Sequence, residues 1–92
     1  MDPVRRVLRI QNRLGLHMRA AAKLVQTANK YDAEITISKD GQDVSGKSIL
    51  ALMMLAAPQG SLIEVEAAGP QAAEAVDAIG DLLDRRFDED DE

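Results

Sequence analysis

The sequence contains no cysteine or tryptophan, and it has only one tyrosine, one phenylalanine and one histidine. Without cysteine there is no disulfide or thiol chemistry, and one histidine leaves too few good ligands for a transition-metal site. A net charge of −5 and the scarcity of aromatic side chains argue against a nucleic-acid-binding surface. There is no apolar run of membrane-spanning length and no evident targeting segment. The sequence therefore predicts a cytoplasmic protein, without membrane insertion or cofactor.

The length and composition predict one small globular domain. The chain has 92 residues, of which 46% are hydrophobic and 29% are charged, enough for a single core but not for two. Residues 1–87 are assigned to this domain, which we expect to be monomeric. Residues 88–92 are all acidic and have nothing to bury, so they are predicted to form a disordered tail.

The hydrophobic periodicity predicts seven elements in the order βαββαβα. Alternating segments indicate strands and i, i+3, i+4 spacing indicates helices. The strands are placed at 4–10, 33–38, 42–45 and 61–67, and the helices at 18–29, 49–55 and from about 72 to near 86. Each helix offers one apolar stripe and each strand one apolar face. The predicted fold is therefore α+β, an open-faced β-sandwich in which three helices cover one face of a four-stranded, mainly antiparallel sheet.

The only histidine, His17, lies where a glycine-containing loop meets the first predicted helix, and Arg19 follows in its first turn. The first amide groups of a helix lack intrahelical partners and, with the macrodipole, favour an anion. A guanidinium adds a planar fork that matches phosphate oxygens. This combination predicts either a phosphoryl group carried on His17 or a phosphate bound without covalent chemistry. No second acid or base and no serine-hydrolase arrangement is evident near His17.

The apolar run from Ile49 to Leu55 has no polar face, so it must be buried or docked against a partner. Ser48 precedes it and is predicted to be its N-cap. Leu52 and Leu55 are expected in the core, and Ile49, Leu50 and Met53 are candidates for a partner surface. The alternative is that Met53 and Met54 fill gaps in the core.

Two segments of the sequence, GLHMRAAAKLV and GKSILALMML, resemble the histidine-containing phosphocarrier family, HPr and its nitrogen-related paralogue NPr. The resemblance covers nearly the whole chain and includes the order of its elements. Met18 stands where family members often have a small residue, and Ala20 stands where proline is usual. Proline would preset φ in the first turn, so Ala20 loosens the start of the helix and leaves one more amide available.

The resemblance implies a phosphocarrier of the phosphotransferase system rather than an enzyme. His17, through Nδ1, would accept a phosphoryl group from phosphoenzyme I, itself charged from phosphoenolpyruvate, and pass it to an enzyme IIA protein. Arg19 would stabilise the phosphate. Residues around His17 and on the second helix would dock both partners, namely Met18, Ala22, Lys47, Ile49, Leu50 and Met53.

Two functional alternatives remain open at the level of sequence. In some relatives the serine matching Ser48 is phosphorylated by a kinase, so Ser48 is a candidate regulatory site for an HPr kinase/phosphorylase as well as a plain cap. A non-catalytic regulatory module, acting through Ser48 or by metabolite binding, is the rival function. The acidic tail and the low basicity of the first helix, with Gln26 and Asn29 on its exposed side, favour the nitrogen-related or regulatory branch over sugar transport.

Overall fold

A computed structural model describes residues 2–89 of the chain, and its elements follow the order predicted from sequence. The chain forms four strands and three helices, with the second strand directly followed by the third strand, and a short 3-10 turn follows the last helix. Their bounds are β1 (Val4–Arg9), α1 (Met18–Ala28), β2 (Glu34–Lys39), β3 (Gln42–Ser45), α2 (Ile49–Met54), β4 (Leu62–Ala68), α3 (Ala72–Asp84) and the turn (Arg86–Asp88). The largest difference from the predicted bounds is at α3, which ends at Asp84 rather than near Arg86.

The strands form one sheet in the order β1-β4-β2-β3, and all three pairings are antiparallel. Alternate residues on the central strands are buried, such as Ile63, Val65 and Ala67 on β4, whereas Glu64 and Glu66 face the other side. The buried face packs against the helices, and the opposite face is open. The predicted α+β fold, an open-faced β-sandwich, is confirmed.

Arg6 interrupts the apolar alternation of β1, and its surroundings explain how the fold accommodates it. Arg6 lies opposite Val65 in the register, on the helix-facing side of the sheet. Its guanidinium passes over α3 at Gly80, where a Cβ added to the glycine would lie 3.0 Å from a guanidinium nitrogen. The guanidinium forms an ion pair with Asp77 at 2.6 Å. An edge strand therefore carries an inward-pointing arginine that reaches the surface beside α3, a position that also discourages pairing with another chain.

The chain after α3 adopts an unusual backbone conformation. Arg86, Phe87 and Asp88 have φ values of 55°, 55° and 60°. Left-handed backbone costs L-residues roughly 1–2 kcal/mol each, so this turn needs compensating contacts. The Phe87 side chain is fully buried, and burial of a side chain of that size contributes about 1.5–3 kcal/mol.

The sequence placed Asp88 and Glu89 in a tail with nothing to contact, and the structure differs for these two residues. Asp88 belongs to the final turn and pairs with Arg85 at 3.0 Å. Glu89 has a side chain that is only 7% exposed and that contacts residues of the first loop. The cause is tertiary, because burying Phe87 brings the following residues back over α1. Residues 90–92 lie outside the described part of the chain, and the domain boundary stays a prediction.

Within residues 2–89, no helix combines the length and apolar character needed to cross a membrane.

Candidate functional site

The loop before α1 is fixed against the connection between α2 and β4. Gly15 has a φ of +68°, and a Cβ at this position would lie 2.5 Å from the carbonyl oxygen of Ala57. The next amide, of Leu16, donates to that same oxygen at 2.9 Å. Only glycine suits both the backbone conformation and the close approach. This contact sets where the chain enters α1, and therefore where His17 lies.

His17 is the N-cap of α1, with an extended backbone at φ −81° and ψ −177°. Its carbonyl accepts the first helical hydrogen bond, from the Ala21 amide at 2.8 Å, but its side chain caps no amide. The imidazole is 28% exposed, so a protein docking at this end of the helix can reach it. The predicted junction is therefore present, with the open amides of a helix beginning beside the ring.

Two arginines border the shallow depression in front of His17. Arg19 lies in the first turn of α1, Arg13 lies in the preceding loop, and both side chains are exposed. Within residues 2–89, the Arg19 guanidinium makes no hydrogen bond or ion pair. Arg19 is therefore available to an incoming anion. Arg13 was not singled out from the sequence, since an arginine in a loop has no distinguishing local pattern.

One imidazole nitrogen of His17 contacts a side chain from the C-terminal end of the described chain. Nε2 of His17 contacts Oε2 of Glu89, and Oε1 of Glu89 accepts a hydrogen bond from Asn12 Nδ2 at 2.9 Å. Asn12 is fully buried, and Nδ2 also donates to the carbonyl of Gly15 at 2.7 Å. A buried carboxylate needs such donors. The site therefore contains an Asn12–Glu89–His17 chain of polar contacts.

Lys23 fastens the final turn to α1. Its ammonium group donates to the carbonyl oxygen of Phe87 at 2.7 Å and lies 3.8 Å from a carboxylate oxygen of Asp88. This contact, with the burial of Phe87, holds Glu89 beside His17. Sequence reasoning missed both Glu89 and Asn12 because no periodicity links residues 77 positions apart, and an acidic tail normally faces water.

The apolar residues proposed for docking lie on a surface that includes the start of α1 and the outer side of α2. Met18 is 62% exposed and Leu50 is 70% exposed, with Ile49 and Met53 also exposed. Met54 is exposed as well, so gap-filling in the core does not explain the two methionines. Ala22 is half-buried and Lys47 is exposed. Leu52 and Leu55 are buried, as predicted. An apolar group of this kind on a small domain is typical of a partner surface.

Ser48 is the N-cap of α2, as predicted, and its hydroxyl oxygen accepts a hydrogen bond from the Ala51 amide at 3.2 Å. The residue is half-buried beside the exposed side chains of α2. This contact accounts for a serine at this position by stability alone, because a serine cap contributes about 1 kcal/mol.

An antiparallel open-faced sandwich that presents a partly exposed histidine at the start of its first helix defines a class of small phosphocarrier proteins. A family model for the phosphorylation site of the phosphotransferase-system HPr component matches residues 4–85. The chain therefore belongs to the HPr family, which also contains NPr.

Relatives from both groups of the family match along most of their length. HPr of Xylella fastidiosa (strain Temecula1) is 46% identical over 83 residues, which cover 90% of this chain and 93% of the relative. NPr of Escherichia coli K12 is 42% identical over 88 residues, covering 95% and 98%. The crystal structure of HPr-C-His from Thermoanaerobacter tengcongensis has a TM-score of 0.89 at 39% identity, covering 98% of this chain and 99% of that one.

Proposed function

We propose that this phosphocarrier accepts a phosphoryl group on His17 from phosphoenzyme I, which is charged from phosphoenolpyruvate, and transfers it to an enzyme IIA protein. The observation that carries the proposal is the partly exposed imidazole at a helix N-terminus whose amides are not capped by a side chain. Near neutral pH an imidazole retains a neutral, nucleophilic nitrogen. The amides favour the charge that the transferred phosphoryl group brings.

Arg19 is proposed to bind the phosphoryl oxygens during transfer. Its guanidinium lies at the same depression and makes no ion pair with residues 2–89 that would have to be broken first. Phosphoryl transfer depends mainly on positioning and charge stabilisation, so a protein with one nucleophile, free amides and one arginine is sufficient as a carrier. Donor and acceptor are proposed to dock in turn on the exposed side chains of Met18 and α2.

The direct test is incubation with enzyme I and labelled phosphoenolpyruvate. The wild type is expected to gain one acid-labile phosphoryl group, and His17→Ala is expected to gain none while keeping a cooperative thermal transition. Equal labelling of both proteins would contradict the assignment to His17. If several different enzyme I proteins failed to label the wild type, the rival function, a non-catalytic regulatory module, would be favoured instead.

We further propose the nitrogen-related or regulatory branch over sugar uptake. Supporting this proposal, the only lysine of α1, Lys23, is already engaged with the Phe87 carbonyl and lies near Asp88, so it adds little free positive charge to the docking face. Gln26 on the same helix and Asn29 directly after its end are exposed but uncharged. Charge on a docking face affects partner choice and association rate. Phosphoryl transfer should therefore be faster to a nitrogen-related enzyme IIA than to a sugar-specific one, and the reverse order would contradict the proposal.

Ser48 remains a proposed regulatory site for a kinase such as HPr kinase/phosphorylase. A phosphate there would add about two negative charges beside the exposed side chains of α2. Incubating the protein with the kinase and ATP, with Ser48→Ala as the control, tests this proposal through the formation of an acid-stable phosphoserine. Absence of that product in the wild type would leave Ser48 with its capping role alone.

A further inference from the structure

We infer that Glu89 is a positioning residue for His17: its carboxylate holds the Nε2–H tautomer, so that Nδ1 carries the lone pair that attacks phosphorus. This inference rests on the proposed phosphoryl transfer and adds a positioning residue to it. The observation that carries it is the contact between Nε2 of His17 and Oε2 of Glu89, whose side chain is almost completely buried.

The chemistry of the two groups fixes the direction of this hydrogen bond. An ionised carboxylate only accepts hydrogen bonds, so Nε2 must be the donor. A neutral imidazole has one N–H, and with that hydrogen on Nε2 the other nitrogen, Nδ1, has the free lone pair. The resemblance to the family pointed to Nδ1 as the phosphorylated atom, and the contact with Glu89 is an independent reason within this chain.

The Glu89 carboxylate is itself held by a buried amide. Asn12 Nδ2 donates one hydrogen to Oε1 of Glu89 and the other to the carbonyl of Gly15, at 2.9 and 2.7 Å. Both N–H groups of the Asn12 amide are therefore used, and the carboxylate has a donor on each oxygen. An orienting group that is fixed in this way determines both the tautomer and the direction of the ring.

The final turn shows that Glu89 is held in place by more than its own contacts. Phe87 is fully buried, and its carbonyl accepts from Lys23 at 2.7 Å, while three consecutive residues keep positive φ values of 55–60°. Such a backbone persists only when surrounding contacts over-determine it. Here those contacts place the carboxylate of Glu89, two residues after Phe87, beside the imidazole of His17.

During transfer, a bond forms between Nδ1 of His17 and phosphorus while the bond between phosphorus and the donor's phosphorylated imidazole breaks. The electron pair of the broken bond returns to the donor nitrogen, and the Nε2 hydrogen of His17 stays in place. The ring of His17 therefore gains positive charge beside the Glu89 carboxylate, which stabilises it. Transfer to the acceptor reverses these changes, and no proton has to leave the site.

The test compares Glu89→Ala and Glu89→Gln with Asp81→Asn, which removes the same charge from an exposed position on α3. The ¹⁵N chemical shifts of the His17 imidazole are measured at a pH where the ring is neutral, and the rate of phosphorylation by enzyme I is measured in parallel. Wild type and Asp81→Asn should show predominantly the Nε2–H tautomer. Glu89→Ala should show a mixture and a rate lower by about tenfold, as for loss of other orienting partners of histidine.

Glu89→Gln should keep much of the Nε2–H tautomer, because its amide oxygen can still accept from Nε2, and it should recover part of the rate. A wild-type tautomer ratio in Glu89→Ala would overturn the inference, and so would a faster rate, which would identify Glu89 as a group that blocks access. The tautomer comparison needs no phosphoryl donor. It therefore decides the role of Glu89 separately from the labelling of wild type, whose failure would overturn the proposed function.

Discussion

The two helices that border the site, α1 and α2, begin in opposite ways. Each starts from a residue with extended backbone, His17 or Ser48, and neither has an acidic residue in its first turn. Ser48 uses its hydroxyl to accept the Ala51 amide, whereas the side chain of His17 accepts no amide of its own helix. One helix end is closed by its own sequence, and the other is open to a ligand.

This difference separates stability from function along a short stretch of surface. A capping side chain contributes about 1 kcal/mol, and α1 does without that contribution. The unused amides can instead interact with an anion brought by another protein. The imidazole at α1 turns to Glu89 rather than to the helix, so the same residue that fails as a cap is oriented by the far end of the chain.

The largest effect is expected from His17→Ser, which gives α1 a residue that can cap its N-terminal amides as Ser48 caps those of α2. This variant should lose phosphorylation by enzyme I completely, since the proposed nucleophile is gone. It should nevertheless unfold at higher urea than His17→Ala, with a free energy of unfolding greater by about 0.5–2 kcal/mol, because serine can cap α1 as Ser48 caps α2. Equal stability of the two variants would show that the start of α1 cannot accept a side-chain cap.

The next largest effect is expected from Arg19→Ala. The guanidinium is exposed and unpaired within residues 2–89, so its removal should leave the free energy of unfolding within about 0.5 kcal/mol. Loss of a charge-assisted hydrogen bond, about 1.5–3 kcal/mol, should lower the rate of phosphoryl transfer roughly tenfold to a hundredfold. Arg19→Lys keeps the positive charge but lacks the planar guanidinium, so its transfer rate should lie between those of the wild type and Arg19→Ala. An unchanged rate in the alanine variant would remove Arg19 from the mechanism.

Gly15→Ala should displace the start of α1, because Gly15 lies in the loop that leads into this helix. The new Cβ would meet the Ala57 carbonyl oxygen at 2.5 Å at a residue with positive φ, so the backbone must move. We expect the free energy of unfolding to fall by about 1–3 kcal/mol and phosphorylation to slow as His17 is displaced. Gly41→Ala serves as the control, since its φ is also positive, at +82°, but nothing lies within 4 Å of the added atom. Equal losses in both variants would mean that backbone conformation, rather than the contact with Ala57, is responsible.

The sequence predicts the regular part of this molecule well, because local periodicity and burial agree there. The alternation of apolar and polar residues predicted the bounds of all four strands to within one residue at each end. The junction at His17 and the cap at Ser48 were also predictable, since each depends on residue types at a helix start. These features are decided by neighbours in the chain.

The C-terminal turn could not be predicted in the same way. Nothing in the residue types of Arg86 and Phe87 indicates positive φ, which is uncommon outside glycine, asparagine and aspartate, so of the three residues only Asp88 is of a type that often adopts it. The conformation follows from the burial of Phe87 and from its contact with Lys23 on another helix. The acidic composition of the C-terminal residues predicts that Glu89 is exposed to solvent. In the structure its side chain is instead buried, in contact with Asn12 of the first loop and with His17 at the start of α1.

The smallest effect is expected from Ser48→Ala, which tests the comparison of the two helix starts by removing the cap of α2. The Ala51 amide would lose its acceptor, so the free energy of unfolding should fall by about 0.5–2 kcal/mol in urea denaturation. Phosphorylation of His17 should continue, because within residues 2–89 Ser48 makes no hydrogen bond to the imidazole. Ser48→Thr retains a capping hydroxyl and should recover most of the loss. If the alanine variant were as stable as wild type, the hydroxyl would not be needed to cap α2, and the contrast between the two helix ends would have to rest on His17 alone.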